Sequence, residues 1–290
     1  MKIQTLEDGE DTEGREKPQD TAKDSAKDTA ELDTVDGPSR KNGDGTGEGG
    51  REESTERRKR FGFEDVAVVM ATYNEEEAVE SVITDVLEAT QGEARVVCVD
   101  GSSDSTPDIA RAMGAEVVRQ EPQGYGVAVK EAVLTPERDV VVTTDCDDTY
   151  PMEEIPRFLD LINQGHDVVS GDRITGGTPD MPTLNYLGNK IFAGTASVLL
   201  EKSFSDVTTG MRAYRRTVLQ EIKWTENTGL SAELLLRPSA RGYEVREEKI
   251  PYSERKGETK LDPIQGGGEI AYSVLKVAAE ERFRRIRRRL

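Results

Sequence analysis

Between residues 66 and 171, short apolar runs alternate with segments that have the periodicity of amphipathic helices. The apolar runs have the length and valine content of buried strands, and they occupy residues 66–70, 96–99, 117–118, 140–144 and 167–171. Helical segments lie between them at residues 75–87, 107–113, 125–133 and 152–163. Ser105 or Thr106 is expected to cap the second helix, and Pro151 to open the fourth. Apolar strands connected by helices form mostly parallel sheets covered on both faces, so the alternation predicts an α/β fold of that kind.

Ligands of such sheets bind beyond the carboxyl ends of the strands, so the loops that follow the strands carry the functional information. After the first strand, residues 71–75 lack the Gly-x-Gly-x-x-Gly turn that lets a pyrophosphate approach the backbone. This absence disfavours a dinucleotide-dependent dehydrogenase. After the second strand, Gly101 permits a tight turn, and Asp100 could accept a hydrogen bond from a base or a ribose hydroxyl. An ordinary Asp-Gly turn followed by a helix cap explains the same residues.

Three aspartates follow the fourth strand, at Asp145, Asp147 and Asp148. Carboxylates this close together repel one another unless a cation joins them. Hard oxygen ligands suit Mg²⁺ or Mn²⁺, and such an ion commonly bridges to the phosphates of a substrate. An acidic turn in an acidic protein is the alternative interpretation.

The order of these loops is more specific than any one of them. The chain carries Tyr-Asn-Glu at 73–75, Asp-Gly-Ser-x-Asp at 100–104, Gly-Tyr-Gly at 124–126 and Asp-x-Asp at 145–147. Further motifs follow downstream: Gly-Asp-Arg at 171–173, Asp-Val-Thr-Thr-Gly-Met-Arg at 206–212, Gly-Tyr at 242–243 leading to Pro251, and Arg-Lys-Gly-Glu-Thr-Lys-Leu at 255–261. From about residue 64 to 263 the chain resembles family 2 glycosyltransferases of the GT-A fold, in particular the branch of dolichyl-phosphate mannose and glucose synthases.

The resemblance implies a set of donor-binding residues. Those expected to hold the nucleotide sugar are Thr72, Tyr73, Glu75, Asp100, Asp104, Gly124, Asp145, Arg173 and Lys256. Asp145 and Asp147 would hold Mg²⁺ or Mn²⁺ on the diphosphate, where the ion neutralises charge that develops on the leaving nucleoside diphosphate.

Five basic residues in the downstream motifs form the second half of the expected site: Arg173, Arg212, Arg255, Lys256 and Lys260. Arginine forks and lysine ammonium groups bind phosphate oxygens, although a single surface arginine more often forms an ordinary ion pair. A phosphomonoester acceptor is already ionised near neutral pH and needs no strong base, so it could attack the anomeric carbon directly with inversion. The residues expected to be catalytic are Asp147, Arg212, Arg255 and Lys260. A hydroxyl acceptor would instead require a carboxylate base, for which Asp206 and Glu233 are the candidates.

Four positions depart from the family pattern. Ala71 stands where proline is usual, and Val99 replaces the first of two common aspartates. Thr149 occupies a position where related enzymes often have glutamine near the metal ion. Asp172 replaces a small residue in a Gly-Ser-Arg pattern, and nothing in the sequence explains it.

The charge of the chain limits its partners. The 57 acidic and 39 basic side chains give a net charge of −18, which argues against general binding to nucleic acid. The excess of acidic residues, with 14 lysines against 25 arginines, favours adaptation to a salt-rich cytoplasm over an ordinary acidic surface. Cys98, Cys146 and His166 are too few for a structural zinc site or a disulfide framework.

The two ends of the chain differ from its middle. Residues 1–60 have no aromatic side chain and low complexity, which predicts a disordered tail. Residues 266–268 are glycines that are expected to break the fold before a last helix at 269–290, which ends in a cluster of arginines. That basic amphipathic helix could lie in a membrane interface or pack on the body. The apolar stretch 191–200 is a second candidate for membrane contact.

The sequence thus predicts a tail at 1–60, a GT-A catalytic domain at 61–265 and a basic amphipathic helix at 266–290. No apolar run approaches the length of a membrane span or a signal peptide, so the expected location is the cytoplasmic face of the membrane, with peripheral attachment. The predicted activity is transfer of a hexose from a nucleotide sugar to a dolichyl or polyprenyl phosphate, for surface glycans or protein N-glycosylation, with other glycan-assembly enzymes as candidate partners. Transfer to a sugar or protein hydroxyl and non-catalytic binding of a nucleotide sugar are the alternatives.

Overall fold

The computed structural model describes residues 59–175, 181–225, 229–254 and 263–287. Seven strands form one sheet, and their bounds are β1 Val66–Thr72, β2 Arg95–Asp100, β3 Glu116–Arg119, β4 Val140–Thr143, β5 Val168–Asp172, β6 Arg212–Arg215 and β7 Val245–Lys249. Their order across the sheet is β3-β2-β1-β4-β6-β5-β7. Strand β6 runs antiparallel to both of its neighbours, and every other pairing is parallel. The predicted mostly parallel sheet is confirmed.

Eight α-helices connect or flank the strands in the described ranges: α1 Val79–Ala89, α2 Thr106–Ala112, α3 Tyr125–Leu134, α4 Ile155–Asn163, α5 Thr183–Leu200, α6 Arg216–Glu221, α7 Leu230–Arg241 and α8 Pro263–Arg287. Two short 3₁₀ turns occupy Phe63–Asp65 and Met152–Glu154.

Both faces of the sheet are covered because the strands present apolar side chains alternately to either side. One face packs against α1, α2 and α4, with Ile83 and Phe158 fully buried between them and the sheet. The opposite face packs against α3, α6 and α7, where Val133 and Leu230 are buried. This arrangement confirms the predicted helices on both faces.

A third apolar cluster joins α5, α7 and α8 at the side of the sheet. Ala196 of α5, Leu235 of α7 and Val277 of α8 are buried in it. A buried ion pair between Glu233 and Arg237 lies at the same junction, with Nε 2.7 Å from Oε2, and Arg237 also reaches Glu280 on α8 at 2.6 Å. Helix α8 is therefore packed on the body through one of its faces.

Several predicted helix starts are wrong. Helix α1 begins at Val79 rather than residue 75, because Asn74 adopts a left-handed backbone (φ 55°) and a turn follows it. Pro151 precedes a 3₁₀ turn, so α4 begins only at Ile155. At the start of α2, Ser105 makes no capping hydrogen bond through its side chain.

The glycines at 266–268 do not break the fold before the last helix, because α8 begins at Pro263 and runs through them. Glycine costs a helix about 1 kcal/mol per residue relative to alanine, and packing further along the helix, around Val274 and Val277, offsets that cost. The predicted disordered tail at 1–60 lies outside the described residues except for its last two, and residues 288–290 also lie outside them.

Candidate active site

A cavity of about 970 Å³ opens at the carboxyl ends of β1 and β4 and extends to helices α5 and α8. Seven of the residues predicted for the site line its polar end: Thr72, Tyr73, Glu75, Gly124, Asp145, Asp147 and Arg173. Residues of the two helices line its apolar end: Leu184, Gly188, Phe192, Gly267 and Ile270. One continuous cavity thus joins a charged region at the strand ends, where parallel sheets bind ligands, to an apolar region.

Asp100 lies behind the cavity wall rather than in it. Its carboxylate is fully buried and accepts hydrogen bonds from Thr72 Oγ1 (2.7 Å) and from the hydroxyl (2.6 Å) and backbone N–H (3.2 Å) of Ser102. The guanidinium of Arg119 donates to the same carboxylate. Asp100 therefore holds Thr72 and the following turn in place. The direct contact with a base or ribose that was expected of it is not seen, because its carboxylate faces the protein.

The loops after β1 and β2 are fastened to each other. The backbone N–H of Asn74 donates to Ser102 Oγ at 2.8 Å, and that of Glu75 donates to Thr106 Oγ1 at 2.8 Å. Asp104 accepts from the backbone N–H and hydroxyl of Thr106 at 3.0 and 2.6 Å, and it is absent from the cavity wall. These bonds present Glu75 to the cavity, whereas Asp104 stabilises the loop from behind.

The acidic loop after β4 places two carboxylates on the cavity and turns the third away. Asp145 accepts from the hydroxyl of Tyr125 at 3.3 Å, and Asp147 accepts from the hydroxyl of Thr149 at 2.6 Å. Asp148 adopts a left-handed backbone (φ 65°) and accepts from Ser81 on α1. Thr149, which replaces the usual glutamine, therefore orients the carboxylate of Asp147.

The two cavity carboxylates are a donor set that fits Mg²⁺ or Mn²⁺, since both ions prefer hard oxygen ligands. Among the residues that the structure describes, no group of three or more His, Cys, Asp or Glu side chains is arranged to hold a metal ion. Asp145 and Asp147 would be sufficient protein ligands, because Mg²⁺ is usually held by one or two carboxylates together with waters and substrate phosphates. Burial and the adjacent Asp145 raise the pKa of Tyr125 well above its usual value, so its hydroxyl stays protonated as a donor to that carboxylate.

Arg173 borders the cavity and is held by a buried carboxylate. Its Nε and Nη2 lie 2.6 and 2.9 Å from the two oxygens of Asp206. Burial alone would raise the pKa of Asp206, but the charge and hydrogen bonds of Arg173 outweigh burial and hold that pKa below its usual value. The pair with Asp206 fixes the guanidinium of Arg173 at the wall of the cavity.

Neither carboxylate that was a candidate base for a hydroxyl acceptor faces the cavity. Asp206 is fully buried in its pair with Arg173, and Glu233 is fully buried in its pair with Arg237. A general base must come within hydrogen-bond reach of the proton it removes. The expectation that Asp206 or Glu233 could serve as that base is therefore wrong for this arrangement.

Arg212 lies beneath the site instead of lining the large cavity. Its side chain is 1% exposed, and its guanidinium donates to Ser170 Oγ and to the carbonyl of Val207, both at 3.0 Å. It borders a small void of about 10 Å³ together with Asp145 and Tyr125. Three other predicted residues, Arg255, Lys256 and Lys260, lie outside the described residues.

Sequence reasoning missed two tyrosines that flank Arg173. The guanidinium carbon of Arg173 lies 5.8 Å from the ring centre of Tyr150 and 5.4 Å from that of Tyr252, and both tyrosines line the cavity. Tyr150 follows the acidic motif directly, which was the only signal for it. The structure also explains Asp172, whose Oδ1 accepts the backbone N–H groups of residues 174 and 175 at 3.0 Å and so shapes the turn that carries Arg173.

The family model for glycosyl transferase family 2 matches residues 67–223 of the chain. A dolichyl-phosphate hexose transferase from Haloferax volcanii is 65% identical over 224 residues, which cover 77% of this chain and 98% of that protein. An undecaprenyl-phosphate mannosyltransferase from Micrococcus luteus is 27% identical, with 78% of this chain and 98% of that protein covered.

Solved structures share the fold. Glucosyl-3-phosphoglycerate synthase from Mycobacterium tuberculosis, in complex with Mn²⁺, UDP-glucose and phosphoglyceric acid, matches with a TM-score of 0.61 at 20% identity, over 74% of this chain and 79% of that one. Mannosyl-3-phosphoglycerate synthase from Rubrobacter xylanophilus matches with a TM-score of 0.61 at 17% identity, over 74% of each chain. The expected GT-A fold is confirmed.

The family match extends over more than half of the chain, and the Haloferax relative is covered almost from end to end. Together they confirm the resemblance seen in the motifs: the chain is a glycosyltransferase that belongs to glycosyl transferase family 2.

Proposed function

We propose that the protein transfers a hexose from a nucleotide sugar to dolichyl phosphate or a related polyprenyl phosphate, with inversion at the anomeric carbon. The observation that carries this proposal is one continuous cavity lined by the carboxylates of Asp145 and Asp147, by Arg173, and by apolar residues of α5 and α8. The names of the relatives support it, because the Haloferax protein is a dolichyl-phosphate hexose transferase and the Micrococcus protein acts with undecaprenyl phosphate.

The nucleotide sugar would occupy the polar end, where Asp145 and Asp147 would hold Mg²⁺ or Mn²⁺. The ion would supply charge neutralisation for the leaving nucleoside diphosphate. A structural neighbour that contains both Mn²⁺ and UDP-glucose supports a divalent ion in this fold. Thr72, Tyr73 and Glu75 would contact the nucleoside, since all three line this end of the cavity.

The acceptor phosphate would lie beside Arg173. A phosphomonoester loses its second proton with a pKa of about 6, so its oxygen is already a nucleophile near neutral pH. The burial of Asp206 and Glu233 agrees with such an acceptor, because the reaction then needs no carboxylate base. Arg255, Lys256 and Lys260 would add positive charge around the phosphates, and Arg212 would support Asp145 from below.

The polyprenyl chain would leave the site at the apolar end, between α5 and α8. Both helices also expose apolar side chains to solvent. On α5 these include Leu184, Leu187, Ile191 and Val198, and on α8 they include Tyr272, Leu275, Phe283 and Ile286. Residues at these spacings share one face of a helix. No helix in the described ranges is long and apolar enough to cross a membrane. These two exposed stripes would rest on the cytoplasmic face of the membrane, where the product could pass to other glycan-assembly enzymes.

Purified protein in high salt with Mn²⁺ and dolichyl phosphate tests the proposal, with radiolabelled UDP-glucose, GDP-mannose and UDP-GlcNAc supplied in parallel. We expect label from one donor to enter the organic phase, and Asp147→Asn to abolish that transfer. Release of free sugar without a lipid product would indicate a hydroxyl acceptor, and donor binding without turnover would indicate a non-catalytic protein.

Membrane contact has its own test. The double variant Leu275→Glu, Phe283→Glu is expected to lose flotation with phosphatidylcholine and phosphatidylglycerol vesicles and to keep the wild-type melting temperature. Leu134→Glu is the matched control, because Leu134 is an exposed leucine (43%) on α3, away from both stripes. Equal flotation of all three proteins would refute the assignment of the stripes to the membrane.

A further inference from the structure

The hydroxyl oxygen of Tyr150 accepts two hydrogen bonds. The backbone N–H of Gly210 donates to it at 2.6 Å, and Nη1 of Arg173 donates to it at 3.1 Å. A phenol has two acceptor positions and one proton to donate. Both acceptor positions are therefore used, and the phenol can act toward a further partner only as a donor.

The proton of that hydroxyl has no acceptor among the residues that the structure describes. Tyr150 is 6% exposed and lines the cavity, so its side chain is a buried donor that borders the space in which substrates bind. A buried donor without an acceptor is destabilising, so a ligand that supplies an acceptor is favoured here. Burial also raises the pKa of Tyr150 well above its usual value, so the proton is present near neutral pH.

The charge around this donor favours an anion. Arg173 packs against the rings of both Tyr150 and Tyr252 and donates to the Tyr150 oxygen. A hydroxyl that accepts from a cation is polarised, which strengthens the bond it donates. Phosphoryl oxygens are the anionic groups that both substrates of the proposed reaction bring to this cavity.

We propose that Tyr150 is a substrate-binding residue whose hydroxyl donates a hydrogen bond to a phosphoryl oxygen. The inference rests on the proposed function for the identity of the anion. The oxygen belongs either to the nucleotide diphosphate or to the acceptor phosphate, and the two are distinguished by experiment. The same hydroxyl accepts a hydrogen bond from the loop that contains Gly210. Tyr150 therefore also connects the phosphate to the loop beside Asp145.

The test is Tyr150→Phe, with Tyr243→Phe as the control. The hydroxyl of Tyr243 donates to the carboxylate of Glu221, and Tyr243 does not line the cavity. Each variant loses a hydroxyl that is hydrogen-bonded in the structure, so each is expected to melt at a lower temperature. Binding is measured by calorimetry for three probes: UDP with Mg²⁺, GDP with Mg²⁺, and farnesyl phosphate.

Hydrogen bonds to charged groups contribute about 1.5–3 kcal/mol, so Tyr150→Phe is expected to weaken one class of probe about 10-fold to 150-fold. Weaker binding of a nucleotide assigns the bond to the donor, and weaker binding of farnesyl phosphate assigns it to the acceptor. Tyr243→Phe is expected to bind every probe as the wild type does. Wild-type affinity of Tyr150→Phe for every probe that the wild type binds would overturn the inference.

If Tyr150→Phe does not fold, 3-fluorotyrosine at position 150 keeps the hydroxyl and both accepted bonds. Its ¹⁹F resonance is expected to shift when a probe that the protein binds is added. The absence of a shift with all three probes would overturn the inference. The proposed function fails separately, through a wild-type protein that binds these probes and makes no lipid-linked sugar.

Discussion

Replacing Asp206 with asparagine tests how Arg173 is held. The carboxylate is fully buried and accepts from Nε and Nη2 of Arg173 and from the backbone N–H of Thr208, at 2.6, 2.9 and 3.1 Å. Asparagine has nearly the same shape, but it lacks the charge and offers one acceptor oxygen in place of two. The guanidinium, which is 8% exposed, would then be a buried cation without a counter-charge at its main contact.

The expected cost follows from that burial. Removing one partner of a buried ion pair destabilises a protein by about 3–5 kcal/mol. For a domain of this size each kcal/mol lowers Tm by about 2–4 °C, so Asp206→Asn should melt about 6–20 °C below the wild type. Asp160→Asn is the control, because Asp160 and Arg60 are exposed and 3.9 Å apart, and surface pairs contribute about 0–1 kcal/mol. Urea unfolding in high salt measures both variants.

The effect has a defined pH dependence. The pKa of Asp206 is lowered in the folded protein, so the stabilisation is present above the unfolded value of about 3.9 and is lost as the pH falls through the folded value. The difference in unfolding free energy between wild type and Asp206→Asn should therefore be constant above about pH 5 and should shrink in acid. A difference that instead grows in acid would contradict the assigned pair.

Activity separates an anchoring carboxylate from a catalytic base. If Asp206 only anchors Arg173, Asp206→Asn should lose activity because Arg173 shifts, and its pH–rate profile should have the same shape as that of the wild type. As a base, it would contribute an acidic limb that disappears in the variant. A destabilisation below about 1 kcal/mol, together with the loss of such a limb, would refute the interpretation of Asp206 as a buried anchor.

Substitutions at four positions test the site and its surroundings. Gly210→Ala places a Cβ 2.5 Å from Oδ2 of Asp145 and should reduce transfer strongly at a cost of about 1–3 kcal/mol in stability. A Cβ at position 194 would have no atom within 4 Å, so Gly194→Ala should stabilise α5 by about 0.5–1 kcal/mol. A loss of activity in this variant would contradict the placement of Gly194 outside the site. Asp147→Asn should weaken Mn²⁺ binding in the presence of UDP, measured by electron paramagnetic resonance, and unchanged binding would remove Asp147 from the metal site. Asp172→Ala should lose about 1–3 kcal/mol in urea unfolding because two N–H groups lose their acceptor, whereas Asp172→Ser, a capping residue, should lose less.

The sequence predicted the first five strands because each contains adjacent valines or other apolar residues. It did not predict β6 or β7. Strand β6 begins with Arg212, a charged residue that is buried only because Ser170 and a backbone carbonyl accept from it. Strand β7 lies at the edge of the sheet, and its Glu247 accepts backbone N–H groups of residues 205 and 206. Periodicity does not reveal such strands, because their polar side chains are satisfied only by tertiary contacts.

The candidate site also combines residues that the sequence predicts with residues whose role depends on tertiary contacts. Residues that lie directly at strand ends, such as Asp145 and Asp147, were predicted because the topology of a parallel sheet places them at the ligand. Asp100 was predicted to contact the ligand for the same reason, yet its carboxylate accepts hydrogen bonds from Thr72, Ser102 and Arg119 instead. Which strand-end carboxylate faces the cavity and which faces the protein depends on neighbours that are distant in sequence.

The net charge of the protein determines how electrostatic forces would affect its attachment to a membrane that holds a lipid acceptor. Residues 61–281 carry a net charge of −19, and an anionic membrane would repel them at low ionic strength. The arginines of residues 282–289 would attract such a membrane, but at 1 M salt the Debye length is about 3 Å and both effects would be largely screened. Apolar contacts are not screened in this way, and kosmotropic salts strengthen them. The exposed stripes of α5 and α8 should therefore provide most of the affinity, so flotation with vesicles should be retained or should increase as salt rises. Flotation that falls steeply with added salt would instead assign the attachment to the arginines.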